Sequence, residues 1–368
     1  MLLSDLRESA RRGFLEFAWR QWAQLGLSAN ITGSDPWAID PEALILFTIE
    51  IARRDPRLFD EVLDWFARNR RRLTMQRLRN LAVRFPVDQG LVGAVVASIG
   101  EPVRSPPWGT NQRRQSRHPQ EVPVFSPDVL SFVGQPDPAF AEYGYIRPRA
   151  VRSGKSSDPD VSVPANFAFQ LRHLFGPGGR SEVMRIMLTY AGGPLDAARI
   201  SDEAGFAKRN VNDVLADLAA SRAVEARWSQ NERLFLAYRD KWAALLEVGP
   251  SAEHMPAFVS WVHLLPASLE IIAWLERETG TTDSEYLISS RARDLIERVT
   301  PDLEMVGIAP APGRPLTGAA YLSVLADTIY SLLAKMGVEH GERGSRDDQF
   351  GGARAGLVDG PGAGKRRY

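Results

Sequence analysis

Residues 181–238 read SEVMRIMLTYAGGPLDAARISDEAGFAKRNVNDVLADLAASRAVEARWSQNERLFLAY, and the order of periodicities in this stretch decides the fold. Val183, Ile186, Met187 and Tyr190 recur at helical spacing and predict an apolar-faced helix from Ser181 to about Tyr190. Gly192-Gly193-Pro194 breaks it. A short second helix is expected over Ala197 to Ala204, with Asp196 placed to accept hydrogen bonds from the free N–H groups of its first turn. Gly205 follows, where a terminating helix often needs positive φ. A third helix is expected from about Lys208 to Ala220, with Val211, Val214, Leu215 and Leu218 on one face. Val224-Glu225-Ala226-Arg227-Trp228 and Arg233-Leu234-Phe235-Leu236-Ala237-Tyr238 then read as two strands around the polar turn Ser229-Gln230-Asn231-Glu232. The predicted order is helix, helix, turn, helix, hairpin.

Around this stretch the composition is that of an ordinary globular chain. The 368 residues, 44% hydrophobic and 24% charged, can bury a sizeable core and hold two or three folding units. Lys plus Arg number 45 and Asp plus Glu also number 45, so any basic surface has to come from uneven distribution. The absence of cysteine excludes disulfides, thiolate metal ligands and cysteine nucleophiles. Met1 to Leu27 carries Arg7, Arg11, Arg12 and Glu16 and lacks the apolar core of a signal peptide. The longest apolar run, around Ala43 to Ile51, falls far short of a membrane span. A cytoplasmic protein without a membrane partner is expected.

The flanks divide by pattern. An N-terminal helical domain is expected over 1–100, a proline-rich linker or strap over 101–165, the helix–hairpin module over 166–248, a C-terminal helical domain over 253–338 and a disordered tail over 339–368. In the first, Leu6, Phe14, Phe17 and Ala18, extended by Trp19 and Trp22, mark an amphipathic helix. Asp40-Pro41 and Asp55-Pro56 open two more, with proline at the first helical position, where its missing N–H costs nothing. Thr74 is placed to cap a fourth. Arg68, Arg70, Arg71, Arg72, Arg77, Arg79 and Arg84 follow one another with no acidic residue between. Such a run suits phosphates, but a solvated face offsetting Asp55, Asp60, Glu61 and Asp64 is the favoured reading. In the strap, Val122 to Phe125 and Ala139 to Ile146 hold enough apolar residues to dock, and a flexible section is expected over Ser105 to Gln120.

In the C-terminal region Leu269, Ile272 and Leu275 mark one helix and Leu287, Leu295, Ile296 and Val299 another, followed by a proline-rich loop over Pro301 to Pro315. Thr317 opens a helix in which Leu322, Leu325, Ile329, Leu332 and Met336 form a coiled-coil-like seam. Packing within the chain is the first expectation for that seam and a homodimer across it the rival.

Several segments imitate known chemistry and fall short of it. Gly360-Pro361-Gly362-Ala363-Gly364-Lys365 is like a Walker A loop, but Asp359 stands at the first glycine position and Arg366 replaces the metal-binding Ser/Thr. Gly154-Lys155-Ser156 has the right ending but Arg149 in place of the first glycine. Gly176-Pro177-Gly178-Gly179 precedes a helix N-terminus suited to an anion, though a flexible lead-in explains it more simply. His118, His173, His254, His263 and His340 show no zincin spacing, and no Gly-x-Ser-x-Gly elbow is present. No cofactor, metal site or catalytic residue is expected, and the sequence predicts a non-enzymatic protein.

The segment Asp196 to Val224 resembles the winged helix-turn-helix domains of bacterial transcription regulators such as the ArsR and MarR families. The matching residues are Ala197-Ala198-Arg199-Ile200-Ser201-Asp202-Glu203-Ala204-Gly205-Phe206, Ala207-Lys208-Arg209-Asn210-Val211, Leu215-Ala216-Asp217-Leu218 and Ala223-Val224, within a region of residues 178–240. The resemblance implies a mainly α protein in which a winged helix-turn-helix, with a small β-hairpin wing, is flanked by N- and C-terminal helical domains. It also implies Ile200, Val211, Leu215 and Leu218 in the core, Ser201 and Gly205 at a close helix approach, and the third helix in the major groove. The residues nearest the bases would then be Lys208, Arg209, Asn210 and Asn212. Asn210 suits bidentate pairing with adenine and Arg209 with guanine. The wing would carry Arg227, Gln230, Asn231 and Arg233 over phosphates or the minor groove. Ala207 stands where Ser or Thr usually caps the recognition helix, a start weaker by about 1 kcal/mol.

The function expected on this basis is a DNA-binding transcriptional regulator with double-stranded DNA as partner, two recognition helices of a dimer lying roughly 34 Å apart. The alternative is a protein-interaction component, such as an antitoxin or defence-system subunit, that uses the module for docking. An enzyme with its site between the helical regions comes third. The module's cations and carboxylates balance, so DNA contact requires the acids to be held away from the third helix's leading edge, which Asp213 adjoins. A basic strip combining Lys208, Arg209, Arg227 and Arg233 would favour DNA.

Overall fold

The computed structural model describes residues 3–29, 33–100, 122–126, 128–130, 134–150, 152–229, 232–278, 285–309 and 320–338. The expected flexible section and tail, Gln230, Asn231 and the loop over 360–365 lie outside the described residues. The described residues are mainly helical, with one small three-stranded antiparallel sheet and a two-residue parallel pair among them.

Helix α1 (Leu3–Gln24) turns Leu6, Ala10, Phe14, Phe17 and Trp22 inward, at spacings of three to five residues. Helix α2 (Pro41–Ile51) is apolar on nearly every side and buried on nearly every side, as a helix without a polar face must be. Asp40 caps it by accepting from the Ala43 N–H at 3.2 Å, and Asp55 caps α3 (Pro56–Asn69) through the Leu58 N–H at 3.0 Å. Thr74 precedes α4 (Met75–Arg84) but does not cap it. Its hydroxyl is buried without a partner, and its N–H instead donates to Glu42 at 2.8 Å, which corrects the capping expectation. Helix α5 (Gln89–Ser98) follows.

The strap docks as its apolar residues predict. Strand β1 (Val122–Pro123) pairs in parallel with β2 (Tyr145–Ile146), on either side of the short helix α6 (Pro138–Ala141). Phe125, Phe140, Tyr143 and Tyr145 are buried in the main core. Arg147 is sunk beside them, 5.0–5.4 Å from the rings of Phe59, Phe125 and Phe140 and 2.5 Å from Asp60. Rings of that kind attract a desolvated guanidinium.

The module begins with α7 (Phe167–Phe175) and α8 (Gly179–Thr189). Strand β3 (Leu195–Asp196) leads into α9 (Ala197–Ala204) and α10 (Lys208–Ala220). The hairpin β4 (Val224–Ser229) and β5 (Glu232–Ala237) and the helix α11 (Arg239–Leu245) complete it. The sheet order is β3-β5-β4, all antiparallel. Asp196 caps α9, and Gly205 closes it at φ +68 in the left-handed region. Val183, Ile186, Ile200, Val211, Leu215, Leu218, Val224 and Phe235 form a second buried cluster within the module.

Helix α12 (Trp261–Arg277) packs back onto α1 and α2 and α14 (Ala320–Lys335) onto α1, while α13 (Glu285–Met305) packs on α12 and α14. Residues from the N-terminal helices, the strap and the C-terminal helices together form one continuous hydrophobic core. Helix α13 runs through Pro301, where a loop was expected; Val299 and Leu303 are buried on either side and hold its last turns. The seam of α14 faces this core. Leu325, Ile329, Leu332 and Met336 are fully buried and Leu322 packs against the cluster. Leu333 sits so close to Gly13 that a Cβ there would lie 2.5 Å from it. The seam thus packs within the chain, the first expectation for it; Leu322, Leu325, Ile329, Leu332 and Met336, through which the rival homodimer would form, are spent inside their own chain.

Candidate nucleic-acid interface

Helix α10 buries Val211, Leu215 and Leu218 and thereby exposes Lys208, Arg209, Asn210 and Asn212. None of these four side chains bonds to another described residue. Ala207, also exposed, provides no side-chain cap. The first-turn N–H groups of α10, carrying the positive end of the helix dipole, therefore stand open beside two cations.

The module's carboxylates are mostly occupied elsewhere. Asp196 accepts from the Ala198 and Arg199 N–H groups at 2.7 and 2.9 Å. Glu182 is buried between Arg172 and Arg185. Asp202 holds Arg84 and His263, each at 2.7 Å. Glu203 is buried with the Ser260 hydroxyl at 2.8 Å and Arg199 at 3.0 Å. Asp217 pairs with Arg180, Glu225 with Arg227, and Asp240 accepts from the Ala252 N–H. Among the described residues of the module, Asp213, Glu232 and Glu247 are left exposed and unpaired, against Lys208, Arg209 and Arg222; Arg233 is exposed over the Phe235 ring at 5.1 Å and Lys241 over the Tyr238 ring at 4.5 Å. A balanced formal charge thus becomes an uneven surface.

The hairpin divides its arginines. Arg227 lies opposite Leu234 and Trp228 opposite Arg233, and adjacent pairs of a ladder point to opposite faces. Arg233 shares its face with Trp228 and the buried Phe235, whereas Arg227 shares the other with Glu225, which it binds. Lys208, Arg209, Arg227 and Arg233 therefore do not make one strip. Arg233 instead lines an open groove of about 500 Å3 with Arg222 and the small side chains Ala216, Ala219 and Ala220 of α10. Arg222, with φ +62, and Trp228, 76% exposed, had no mark in the sequence. The alternation of β4 puts Trp228 on the core-facing side, but the hairpin outruns the core.

The opposite end of α9 is held by the helical body. Arg77 donates from Nε to the Ala204 carbonyl at 2.7 Å, Asn80 to the Gly205 carbonyl at 2.9 Å, and Arg84 to the Asp202 carbonyl at 2.7 Å. A Cβ on Gly205 would press on the Leu81 side chain at 2.8 Å, and at φ +68 any other side chain would strain the backbone, so glycine suits this approach. Behind it lies a buried network of three arginines and three carboxylates. Arg77 grips both oxygens of Asp40 at 2.5 Å and Glu42 at 3.0 Å. Arg172 bridges Glu42 and Glu182 at 2.6 Å, and Arg185 joins Glu182 at 2.9 Å to Asp40 at 3.2 Å. Burial alone would push the Asp40 and Glu182 carboxyls up, but the facing guanidiniums outweigh it and hold both below the ordinary range. His263, with Asp302 on Nδ1 at 2.6 Å and Asp202 on Nε2 at 2.7 Å, forms a second tie.

Most of the arginine run of α3 and α4 is engaged by the same architecture, while Arg71 stays exposed without a partner among the described residues. Arg68 and Arg72 pair with Asp158, Arg70 caps the Ile99 carbonyl, Arg77 is buried and Arg84 binds Asp202. The acids that offset the run are thus Asp40, Glu42, Asp158 and Asp202, not the expected Asp55, Asp60, Glu61 and Asp64. Among the described residues no three His, Asp or Glu side chains converge as a metal site requires, and no helix is long and apolar enough to cross a membrane. No family model, curated protein or solved structure matches this chain.

Proposed function

We propose that residues 178–240 form a winged helix-turn-helix and that the chain is a non-enzymatic transcriptional regulator binding double-stranded DNA through α10. The observation that carries this reading is the residue of charge after internal pairing. Lys208 and Arg209 stand free at the open N-terminus of α10, Arg222 and Arg233 flank its C-terminal half, and within residues 178–240 the competing acids are paired or buried except Asp213 and Glu232; Glu225 lines the same groove as Arg222 and Arg233 but is paired with Arg227. The element order, α8 then β3, α9, α10 and a hairpin, supports it. Lys208, Arg209, Asn210 and Asn212 would face base edges, and Arg222 and Arg233 phosphates, with Arg227, Gln230 and Asn231 at the wing.

Fluorescence anisotropy with duplex DNA from upstream of the chain's own gene, over a salt series, tests this. If Lys208, Arg209, Arg222 and Arg233 each displace a counterion, log K falls with log salt at a slope of about −3 to −4. Arg222→Ala should reduce that slope by about 1, and Arg209→Ala should cost about 1–3 kcal/mol on the preferred sequence. Binding no stronger than to unrelated duplex at low salt sinks the reading. The exposed Trp228 favours the second reading, a protein-docking module of an antitoxin or defence-system subunit, which would then take its place.

A further inference from the structure

A cavity of about 440 Å3 lies among α1, the end of α2, the strap and α12, and no residue of the module lines it. That volume is within the range of small-molecule sites, roughly 300–1,000 Å3. Its walls are apolar: Phe14, Ile51, Phe125, Leu269 and Ile272. Its polar groups are Arg11, Arg53, Arg54, Glu50 and Glu276, with the Ser126 hydroxyl. Three guanidiniums thus meet two carboxylates.

These charges are not equally engaged. Glu276 holds both Arg11 and Arg54, and Arg54 also reaches Asp128 at 3.1 Å. Glu50 accepts from the Asp88 N–H at 2.6 Å, and burial pushes its carboxyl above the ordinary range. Arg53 donates from Nε to the Val124 carbonyl at 3.0 Å and from Nη2 to the Pro123 carbonyl at 3.4 Å, which leaves Nη1, 3.8 Å from Glu50 and beyond hydrogen-bond reach, as its one open donor nitrogen. The Ser126 N–H donates to the Arg53 carbonyl at 3.0 Å, which sets the two residues side by side, and the Ser126 hydroxyl is likewise without a hydrogen bond among the described residues. Two open donors on a net cationic wall face an apolar chamber.

We propose that this cavity binds a small amphipathic anion, an aromatic or short aliphatic carboxylate. Its carboxylate lies on Arg53 and Ser126 and its apolar part among Phe14, Phe125, Leu269 and Ile272. A charge-assisted hydrogen bond from Arg53 Nη1 favours a carboxylate over a neutral group, and the chamber walls supply the burial. The site is independent of the module, so its failure leaves the DNA reading untouched and the converse holds too.

Calorimetric titration of the full chain with naphthoate, naphthylmethylamine and naphthol tests it. Naphthoate should bind saturably and at least about tenfold more tightly than the amine. Arg53→Gln should abolish the preference for naphthoate over naphthol while naphthol still binds. Leu269→Trp, which fills the chamber, should remove binding of all three, with circular dichroism verifying the fold. Should Arg53→Gln fail to fold, Ser126→Ala carries the same comparison, with a smaller loss of preference expected. No saturation by naphthoate at millimolar concentration, an amine that binds as well, or unaltered naphthoate binding by Leu269→Trp overturns the proposal.

Discussion

His263 stands between a carboxylate of the module and one of the body, Asp202 and Asp302. Burial would lower its pKa, but the two hydrogen bonds and the nearby charge of Glu203 outweigh that and raise it from 6.5 to about 9. A histidine raised on folding contributes stability that is complete below its unfolded pKa and is lost as pH climbs through the folded one. The window here is pH 6.5 to about 9. Urea midpoints measured across that window should fall for the wild type, and His263→Gln should flatten the fall while lowering the midpoint at its acid end. An equal slope in both proteins would show that the tie does not govern stability. Nothing in the sequence around His263 distinguishes it from His173, which is exposed. Its partners stand 61 and 39 residues away in the chain.

At the scale of elements, the join between α4 and the turn after α9 concentrates the greatest cost of error. Arg77 is fully buried, closes the C-terminal carbonyls of α9 and balances Asp40, Glu42 and Glu182 on α2's start and α8. Removing one partner of such a network strands buried charge, which costs about 3–5 kcal/mol. Arg77→Met should therefore lower unfolding free energy by about that amount in chemical denaturation. A loss below about 1 kcal/mol would mean that water reaches the network and relieves it. The periodicities of α9, α10 and the hairpin were legible because they depend on near neighbours. Arg77 was not, being one of seven arginines in a run with nothing local to mark it for burial.

Across the whole molecule, the N- and C-terminal helices close a single core: Phe17 lies 6.0 Å from Trp261, and α12 packs on α1 and α2. The fragment 1–100 would expose Phe17 and the faces of α1 and α2 that α12 now covers. Each large side chain so exposed forfeits about 1.5–3 kcal/mol, against a total stability of only about 5–15 kcal/mol. The fragment 1–100 should therefore lack cooperative thermal unfolding by circular dichroism, and adding 253–338 in trans should restore it. A cooperative melt from 1–100 alone would contradict the shared core. Fixing the module to this body at Arg77, Asn80 and His263 leaves α10's leading face outward, the arrangement a DNA contact needs.

What the sequence determined by itself was local. The helices of the module, Asp196 as a cap, Pro41 and Pro56 at helix starts, Gly205 in the left-handed region and the docking residues of the strap all follow from spacing and backbone preference within a few residues. The exposure of Lys208, Arg209, Asn210 and Asn212 follows too, since burying Val211, Leu215 and Leu218 leaves them no other side of α10. Only the tertiary structure decided which acids neutralise which bases, that the α14 seam faces inward, and that Arg227 is paired while Arg222 is free. The physical reason is range. A periodicity states which residues share a face, but a charge is satisfied by whatever long-range packing brings within about 4 Å, and that partner can lie a hundred residues away.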